Sequence, residues 1–468
     1  MSEEIVSEPF DGWAVPPGSL TDLALIEEGG VRYPVLDAGA VRALLAGLRS
    51  AREDALLRDS AHERARLLGR VGARFLDPTD PLRQEAEERL PATADLSPEM
   101  ARAVIEGMAR DWTGERLTGL LASELPQPEA LDRFVPRPGG GRTRAFAPAL
   151  SFHVGAGTVP GVSATSMLRG LLLGSATLVK PGVGDVVLPV LLARALAEEA
   201  PRLASALAVL YWSGGSGERA ESVALETSDL VVAYGGDATV RSLRERLPVT
   251  TPLVAYHHRL SVALVGRSAL SQERLPGAAA ALARAVALFD QRGCVSPHAV
   301  LVEQGGEAGA LELAEALASE LERLHRELPP THPAPSQASA IHQLRRTSEL
   351  RRAAGENIEL HAGPGASWTV VLESSANLEP SCLGRTVRVH SVADALDAPD
   401  LLKSVGRHLQ TVGVAGLGER VEEVAAALGK VGAVRVCPLG EVPFPPPWWH
   451  HDGRGPLSVL LRWVDLEG

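Results

Sequence analysis

Between residues 145 and 246 the chain repeats one arrangement four times: a short apolar run, a glycine turn and a helical stretch. "AFAPALSFHV" ends in "GAGTVPG", "SATLVK" in "PGVGD", "ALAVLYW" in "SGGSGE" and "DLVVAY" in "GGD". β-runs separated by helices of about ten residues need crossover connections, and these are right-handed, so the pattern predicts a parallel sheet covered on both faces. Ligands of such sheets bind beyond the carboxyl ends of the strands, where all of these glycine turns fall. A second β/α series follows, with "HAVLVE", "SWTVVLE", "TVRVHSV" and "QTVGVAG" as strands and "GEAGALELAEALASELERLHREL" as a helix. "PPTHPAPSQAS" (329–339) is expected to be a proline-rich surface loop, and "PLSVLLRWVDLEG" a closing strand.

Ahead of the repeats, residues 37–125 read as helical. "AGAVRALLAGLRSAREDALL" and "SPEMARAVIEGMARDWTGERLTGLL" space their apolar residues at three and four. Ser97 is the expected N-cap of the second, with Pro98 at its first helical position. "RPGGGRTRA" is read as a linker ending this region near residue 145. A chain of 468 residues is too long for one small core, so two or three domains are expected.

The formal net charge of −12 disfavours nucleic acid and anionic membrane as partners. No run reaches the roughly 18 apolar residues that cross a bilayer, so stable membrane insertion is not expected. The N-terminal "MSEEIVSEPF" lacks the basic-then-apolar layout of a signal peptide. Three cysteines cannot build a disulfide framework, which favours a reducing, cytoplasmic setting.

Two residue types stand out chemically. The chain has three lysines, Lys180, Lys403 and Lys430, so arginine supplies nearly all of its positive charge. Cys294 lies in "FDQRGCVSP", a polar glycine turn between a helical stretch and a new strand. A lone cysteine is more often a small buried hydrophobe, whereas a turn at a domain junction suits a reactive thiol. The glycine turns invite a phosphate reading through their backbone N–H groups, but no G-x-G-x-x-G with a following acid is present. Plain crossover turns remain an equal alternative.

The order "GTVPG", "LVKPG", "VVAYGGDATVRSL", "FDQRGCVSP" resembles the aldehyde dehydrogenase superfamily. Specifically, the chain resembles the LuxC-like acyl-CoA reductases, the fatty acyl reductase subunits of bacterial luminescence systems. The C-terminal "RVCPLGEVPFPPPWWHHDGRGPLSVLLRWVDLE" is similar to that family too, so the likeness spans roughly residues 145–468. It implies an aldehyde dehydrogenase-like α/β fold of two domains with mostly parallel, doubly wound sheets and a helical N-terminal region. Residues 1–266 would hold the cofactor domain, 267–436 the catalytic cysteine domain, and 437–468 would return to the cofactor domain or a subunit contact.

The resemblance makes Cys294 the nucleophile and its backbone N–H an oxyanion donor. It gives Lys180, with Pro181 and Gly182, the adenosine ribose. Gly214 and the turn Gly235–Gly236–Asp237 fall to the rest of the cofactor. A solvated surface lysine is the plain alternative for Lys180.

Three departures from the superfamily bear on the reaction. Thr158, in "TVP", stands where many members carry the second oxyanion asparagine of an "N-x-P" setting. "VAYHHRLSVALV" replaces the "E-L-G-G-K" segment and contains no acid to activate a deacylating water. Thioester exchange needs no such base, so acyl-CoA reduction is favoured over aldehyde oxidation. Val183 stands where NAD-preferring relatives often carry an acid; NADPH is therefore permitted, with NADH as the alternative, since Asp185 lies close by.

His257 could carry a proton, or could simply end a polar strand. "WWHHD" (448–452) lacks the ligands and spacing of a zinc site, and no metal is expected. Cys382 and Cys437 are read as structural.

The expected activity is reduction of a fatty acyl-CoA, or another acyl thioester on a carrier, to the aldehyde through an acyl-cysteine. An acyl-protein synthetase is an implied partner, and a homo-oligomer is expected. The rival readings are an NAD(P)-dependent aldehyde dehydrogenase using His257 as its base, and a catalytically weak acyl-carrying or scaffold relative.

Overall fold

The four strand-and-glycine repeats become neighbours in one sheet. Its strand order is Leu253–Tyr256, Leu230–Tyr234, Leu150–Val154, Ala176–Lys180, Leu207–Leu210 and Trp13–Ala14. The first five are parallel, and Trp13–Ala14 runs antiparallel along the edge. Every residue of Leu150–Val154 and of Leu230–Tyr234 is buried, which is why these strands read as continuous apolar runs. Successive strands move outward from Leu150–Val154 in one direction and then in the other. The order therefore reverses between Leu150–Val154 and Leu230–Tyr234, the kind of switch point where open sheets bind ligands.

This computed structural model describes residues 8–21, 23–212, 218–374 and 378–467. The chain divides into two units, one of residues 1–257 with 446–468 and one of residues 258–445. In the first, helices at Ala38–Ala55, Ala61–Ala73, Pro81–Ala94, Pro98–Ala109 and Gly114–Glu124 form the expected N-terminal helical region. The Ser97 side chain accepts from the Met100 N–H, and Pro98 opens its helix as the sequence predicts. The expected linker is different: Gly139–Gly141 turn with positive φ, and Arg142–Phe146 is a strand. It pairs antiparallel with both Val135–Pro136 and Arg462–Leu466, so the C-terminal segment is hydrogen-bonded into the first unit.

The second unit holds a seven-stranded sheet in the order Ile358–Ala362, Thr369–Glu373, Thr386–Val392, Pro297–Glu303, Leu260–Val265, Leu409–Ala415, Arg435–Pro438. All pairs are parallel except the one between Ile358–Ala362 and Thr369–Glu373. Leu260–Val265 is hydrogen-bonded on both sides in this sheet, so the chain divides after His257 and not after residue 266. Leu282, Val286, Leu317, Leu321, Val300 and Val389 pack on one face, and Leu264, Leu301, Val412 and Leu428 on the other. The expected proline-rich loop is half helix. Pro335 opens the helix Pro335–Ala353, at a position where its missing N–H costs no bond. Among the described residues no helix is long and apolar enough to cross a membrane.

The carboxyl end of Pro297–Glu303 is anchored by charge. The fully buried Glu303 accepts from both Arg420 and Arg267 side chains at 2.7 Å, and from the Arg267 and Ala395 N–H groups. Burial alone would raise its pKa, but the bonds from Arg420 and Arg267 outweigh it and hold the carboxyl well below its usual range. A depressed carboxyl stabilises the fold above its unfolded pKa and loses that contribution as pH falls. Glu303→Gln should therefore cost about 2 kcal/mol at neutral pH, discounted for the exposure of Arg267. Its deficit relative to wild type should shrink below about pH 4; urea midpoints at pH 7 and pH 3.5 check this.

Candidate active site

Cys294 sits where the helix Leu275–Ala287 gives way to the strand Pro297–Glu303. The intervening residues do not continue the helix. Phe289, Asp290 and Gln291 adopt φ of 57°, 49° and 64°, three consecutive non-glycine residues in the left-handed region. Such conformations persist only where surrounding contacts over-determine them. The Cys294 side chain is half-buried, and its carbonyl accepts a 2.7 Å bond from the Ser261 hydroxyl. That hydroxyl in turn accepts from the Thr411 N–H at 3.0 Å. His298 follows on the strand, its Nδ1 accepting from the Ser381 N–H at 3.2 Å. Burial, with the nearby His258 adding to it, lowers His298 to about 4, so its ring is neutral at neutral pH.

In the first unit, the remaining sequence-predicted residues lie at the carboxyl ends of the parallel strands. Lys180 ends Ala176–Lys180, with Pro181 buried and Gly182 half-buried behind it. The Lys180 ammonium lies 5.6 Å from the centre of the Trp212 ring. Burial lowers its pKa, and the charge of Glu221 opposes that shift. Gly182 packs backbone to backbone on the preceding glycine loop: a Cβ there would lie 2.2 Å from the Gly157 nitrogen. That loop carries Thr158, which is exposed.

Asp185 is engaged elsewhere. It is fully buried and accepts from the Gly161 N–H at 2.5 Å and the Ser163 N–H at 2.7 Å. Gly161 is the N-cap of the helix Val162–Leu173 and has no side chain to cap it, so the facing loop supplies the carboxylate. Burial pushes Asp185 up to about 7 against the bonds from Ser163 and Gly161.

Gly235 and Gly236 follow Leu230–Tyr234, and Gly236 is the N-cap of the helix Asp237–Arg246. A Cβ on Gly236 would meet nothing within 4 Å, so there is open space beside this turn, while the Gly235 N–H donates to the Tyr256 carbonyl at 3.1 Å. The exposed Asp237 side chain has the sign of a phosphate, so only its backbone suits one. Gly214 lies outside the described residues. His257 is half-buried just past Leu253–Tyr256.

"WWHHD" contributes rings: His451 stacks on Tyr256 at 4.4 Å and on Trp449 at 4.6 Å, and Tyr256 stacks on Tyr234 at 4.8 Å. Among the described residues no group of three or more His, Cys, Asp or Glu could hold a metal ion.

Several residues framing these positions escaped the sequence reading. Asp290 and Gln291 stand inside the quoted cysteine motif, where two polar residues between a buried helix and a buried strand are a usable signal. Ser261 reaches the turn from one neighbouring strand and Arg385 from the loop ahead of the other, both far away in sequence, and nothing in their local sequence announces it.

The family model described as acyl-CoA reductase (LuxC) matches residues 60–463. The match therefore begins well inside the N-terminal helical region, ahead of the span covered by the quoted motifs. The chain is 23% identical over 376 residues to the long-chain acyl-protein thioester reductase of Photobacterium phosphoreum, covering 79% of this chain and 73% of that protein. To the Vibrio harveyi protein of that name it is 24% identical over 377 residues, covering 79% and 75%. Among solved structures it is similar to a NAD-dependent benzaldehyde dehydrogenase from Corynebacterium glutamicum, with a TM-score of 0.69, 16% identity and full coverage of both chains. A NADP-dependent glyceraldehyde-3-phosphate dehydrogenase from Bacillus halodurans C-125 gives 0.67, with 15% identity and 98% of each chain covered. With the family match running through nearly all of the two sheets and the Cys294 turn, this chain belongs to the acyl-CoA reductase (LuxC) family and has an aldehyde dehydrogenase-like fold.

Proposed function

We propose that this protein reduces a long-chain acyl thioester to the aldehyde through an acyl-cysteine on Cys294. The observation that carries the proposal is the Cys294 turn: a half-buried thiol on a backbone held in an unusual conformation, inside the stretch matched by the family. The Cys294 thiolate attacks the thioester carbonyl, its S–C bond forms, and the departing thiol leaves with the proton. Both thiols are chemically alike, so this exchange needs no base to activate water. "VAYHHRLSVALV" offers no carboxylate for that task. After reduction, the carbonyl re-forms as the S–C bond to Cys294 breaks, and aldehyde is released with the thiol regenerated. The Thr158 hydroxyl and the Cys294 N–H are the proposed donors to the transient oxyanion.

A bound reduced nicotinamide supplies the hydride. Lys180, Pro181, Gly182 and the turn Gly235–Gly236–Asp237 are the residues that would hold it, with the N–H groups of Gly236 and Asp237 facing the phosphates, since the Gly235 N–H is spent on the Tyr256 carbonyl at 3.1 Å. Lys180 is a half-buried cation at a strand end, and Gly236 is open where a phosphate could approach. Asp185 points inward, so it does not oppose a 2′-phosphate, which favours NADPH. Glu28 lines the same cavity of about 170 Å³ as Val183 and Tyr211, which keeps NADH as the second cofactor. The curated relatives are named for acyl-protein thioesters, and CoA and protein thioesters offer the same carbonyl; an acyl-protein synthetase as donor belongs to this proposal.

The test is single-turnover mixing with radiolabelled long-chain acyl-CoA, then NADPH or NADH. Covalent label that either cofactor discharges as aldehyde is the expected result. Label that neither cofactor releases would point to an acyl-carrying protein, and no label at all would overturn the proposal.

A further inference from the structure

The left-handed run before Cys294 has a counterpart. Leu383, Gly384 and Arg385 take φ of 64°, 63° and 57°, just ahead of the strand Thr386–Val392 that pairs with Pro297–Glu303. Two unusual turns thus precede two adjacent strands, and they are bonded to each other. Arg385, fully buried, donates through Nε at 2.9 Å and Nη2 at 2.7 Å to one Asp290 oxygen. The other Asp290 oxygen accepts from the Thr331 hydroxyl at 3.3 Å. Gln291, also fully buried, accepts from the Thr386 N–H at 2.9 Å. Its amide donates to the Pro297 and Thr386 carbonyls at 2.7 and 2.8 Å.

Ser261 grips the turn from the opposite neighbouring strand. Strand register shifts between Ser261 and Val262 on one pairing and between Leu260 and Val262 on the other, so Ser261 sits at an irregularity in the ladder. From there its hydroxyl bridges the Thr411 N–H to the Cys294 carbonyl. The cysteine is therefore held on one side through Asp290 and Gln291, and on the other through its own carbonyl. An ordinary helix-to-strand connection needs neither three left-handed residues nor a buried arginine. Both features are costly unless the orientation they enforce is used.

We infer that Gln291, Asp290, Arg385 and Ser261 are positioning residues: they fix the direction in which the Cys294 thiol leaves the backbone, and thereby its alignment with the acyl carbonyl. The inference rests on Cys294 being the nucleophile. A thiol on a loosened turn stays reactive toward small reagents but meets a bound carbonyl off line, and misplacement by about 1 Å is enough to cost some 100-fold in rate.

The test compares Gln291→Met, which keeps the side-chain length and removes its bonds, with Ser261→Ala. The control is Leu321→Ala, a core truncation on the helix Ala310–Glu327 of the same unit. Each is measured for thermal midpoint, for the rate of Cys294 alkylation by iodoacetamide, and for kcat and KM of aldehyde formation from long-chain acyl-CoA. Gln291→Met and Ser261→Ala should lower kcat by about 10- to 100-fold, with KM and alkylation rate within about threefold of wild type. Leu321→Ala should lower the midpoint and keep kcat. If Gln291→Met and Ser261→Ala behave like that control, the four residues are merely structural and the inference is overturned. If Gln291→Met does not fold, Ser261→Ala decides on the same kcat-against-midpoint split. Failure of the underlying reading is separately visible, because acyl label that persists in Cys294→Ala overturns both it and the inference.

Discussion

Cys294→Ala should lower aldehyde formation by at least about 10³-fold and abolish covalent acyl label, while leaving the thermal midpoint close to wild type. A factor of 10³ corresponds to about 4 kcal/mol of transition-state stabilisation, more than one hydrogen bond supplies and typical of losing a covalent intermediate. The small effect on stability follows from the turn. Its geometry is held by the side chains of Asp290 and Gln291 and by the Cys294 carbonyl, all of which survive the truncation. Cys294→Ser is an informative companion. A hydroxyl is a far weaker nucleophile at neutral pH, and an oxygen ester does not exchange freely with a thiol. Serine should therefore be nearly as inactive as alanine, despite preserving size and polarity. Rate and melting measurements on the same preparations check this; unchanged turnover in either variant would remove Cys294 from the mechanism.

Asp185→Ala should lower stability by about 3 kcal/mol, because it leaves two buried N–H groups at the start of Val162–Leu173 without their acceptor. No local residue can replace it, since the N-cap Gly161 has a φ of 96° and a Cβ there would meet Met108 at 2.9 Å. The pH dependence has a definite sign. Burial raises the folded-state pKa to about 7 from an ordinary value of 3.8, so the folded chain binds the proton more tightly than the unfolded one. This group's contribution is then full below about pH 4 and falls as pH rises toward 7. Asp185→Asn keeps an acceptor and cannot ionise. It should lose less than alanine does, and should flatten the change in urea midpoint between pH 5 and pH 8. A midpoint that rises across that range in wild type, with Asn matching it, would contradict this account.

The parallel sheets were legible because their strands are buried on both faces and so appear as unbroken apolar runs between glycines. Ser97 and Pro98 were legible because a helix start is a local event, decided by one side chain and one missing N–H. Cys294 and Lys180 could be proposed because family-like motifs mark them in a fixed order along the chain. Pro335 misled because proline is as compatible with the first turn of a helix as with a loop, and the choice depends on packing further along. The linker misled similarly: Arg142–Phe146 becomes a strand because a segment more than 300 residues later pairs with it.

Tertiary structure alone decided which charges are spent. Asp185 ends the glycine turn "PGVGD" and reads as a ribose acid, yet it is consumed as the cap of another helix. Arg385 reads as one more arginine among many, yet it is fully buried against Asp290. Composition, strand pattern and motif order follow from short-range chemistry, so the sequence by itself determined the fold class and the family likeness, and singled out Cys294 as the proposed nucleophile. The conformation of the Cys294 turn involves bonds from Ser261 and Arg385, residues 33 and 91 positions away, and only the folded sheet brings those groups to the turn.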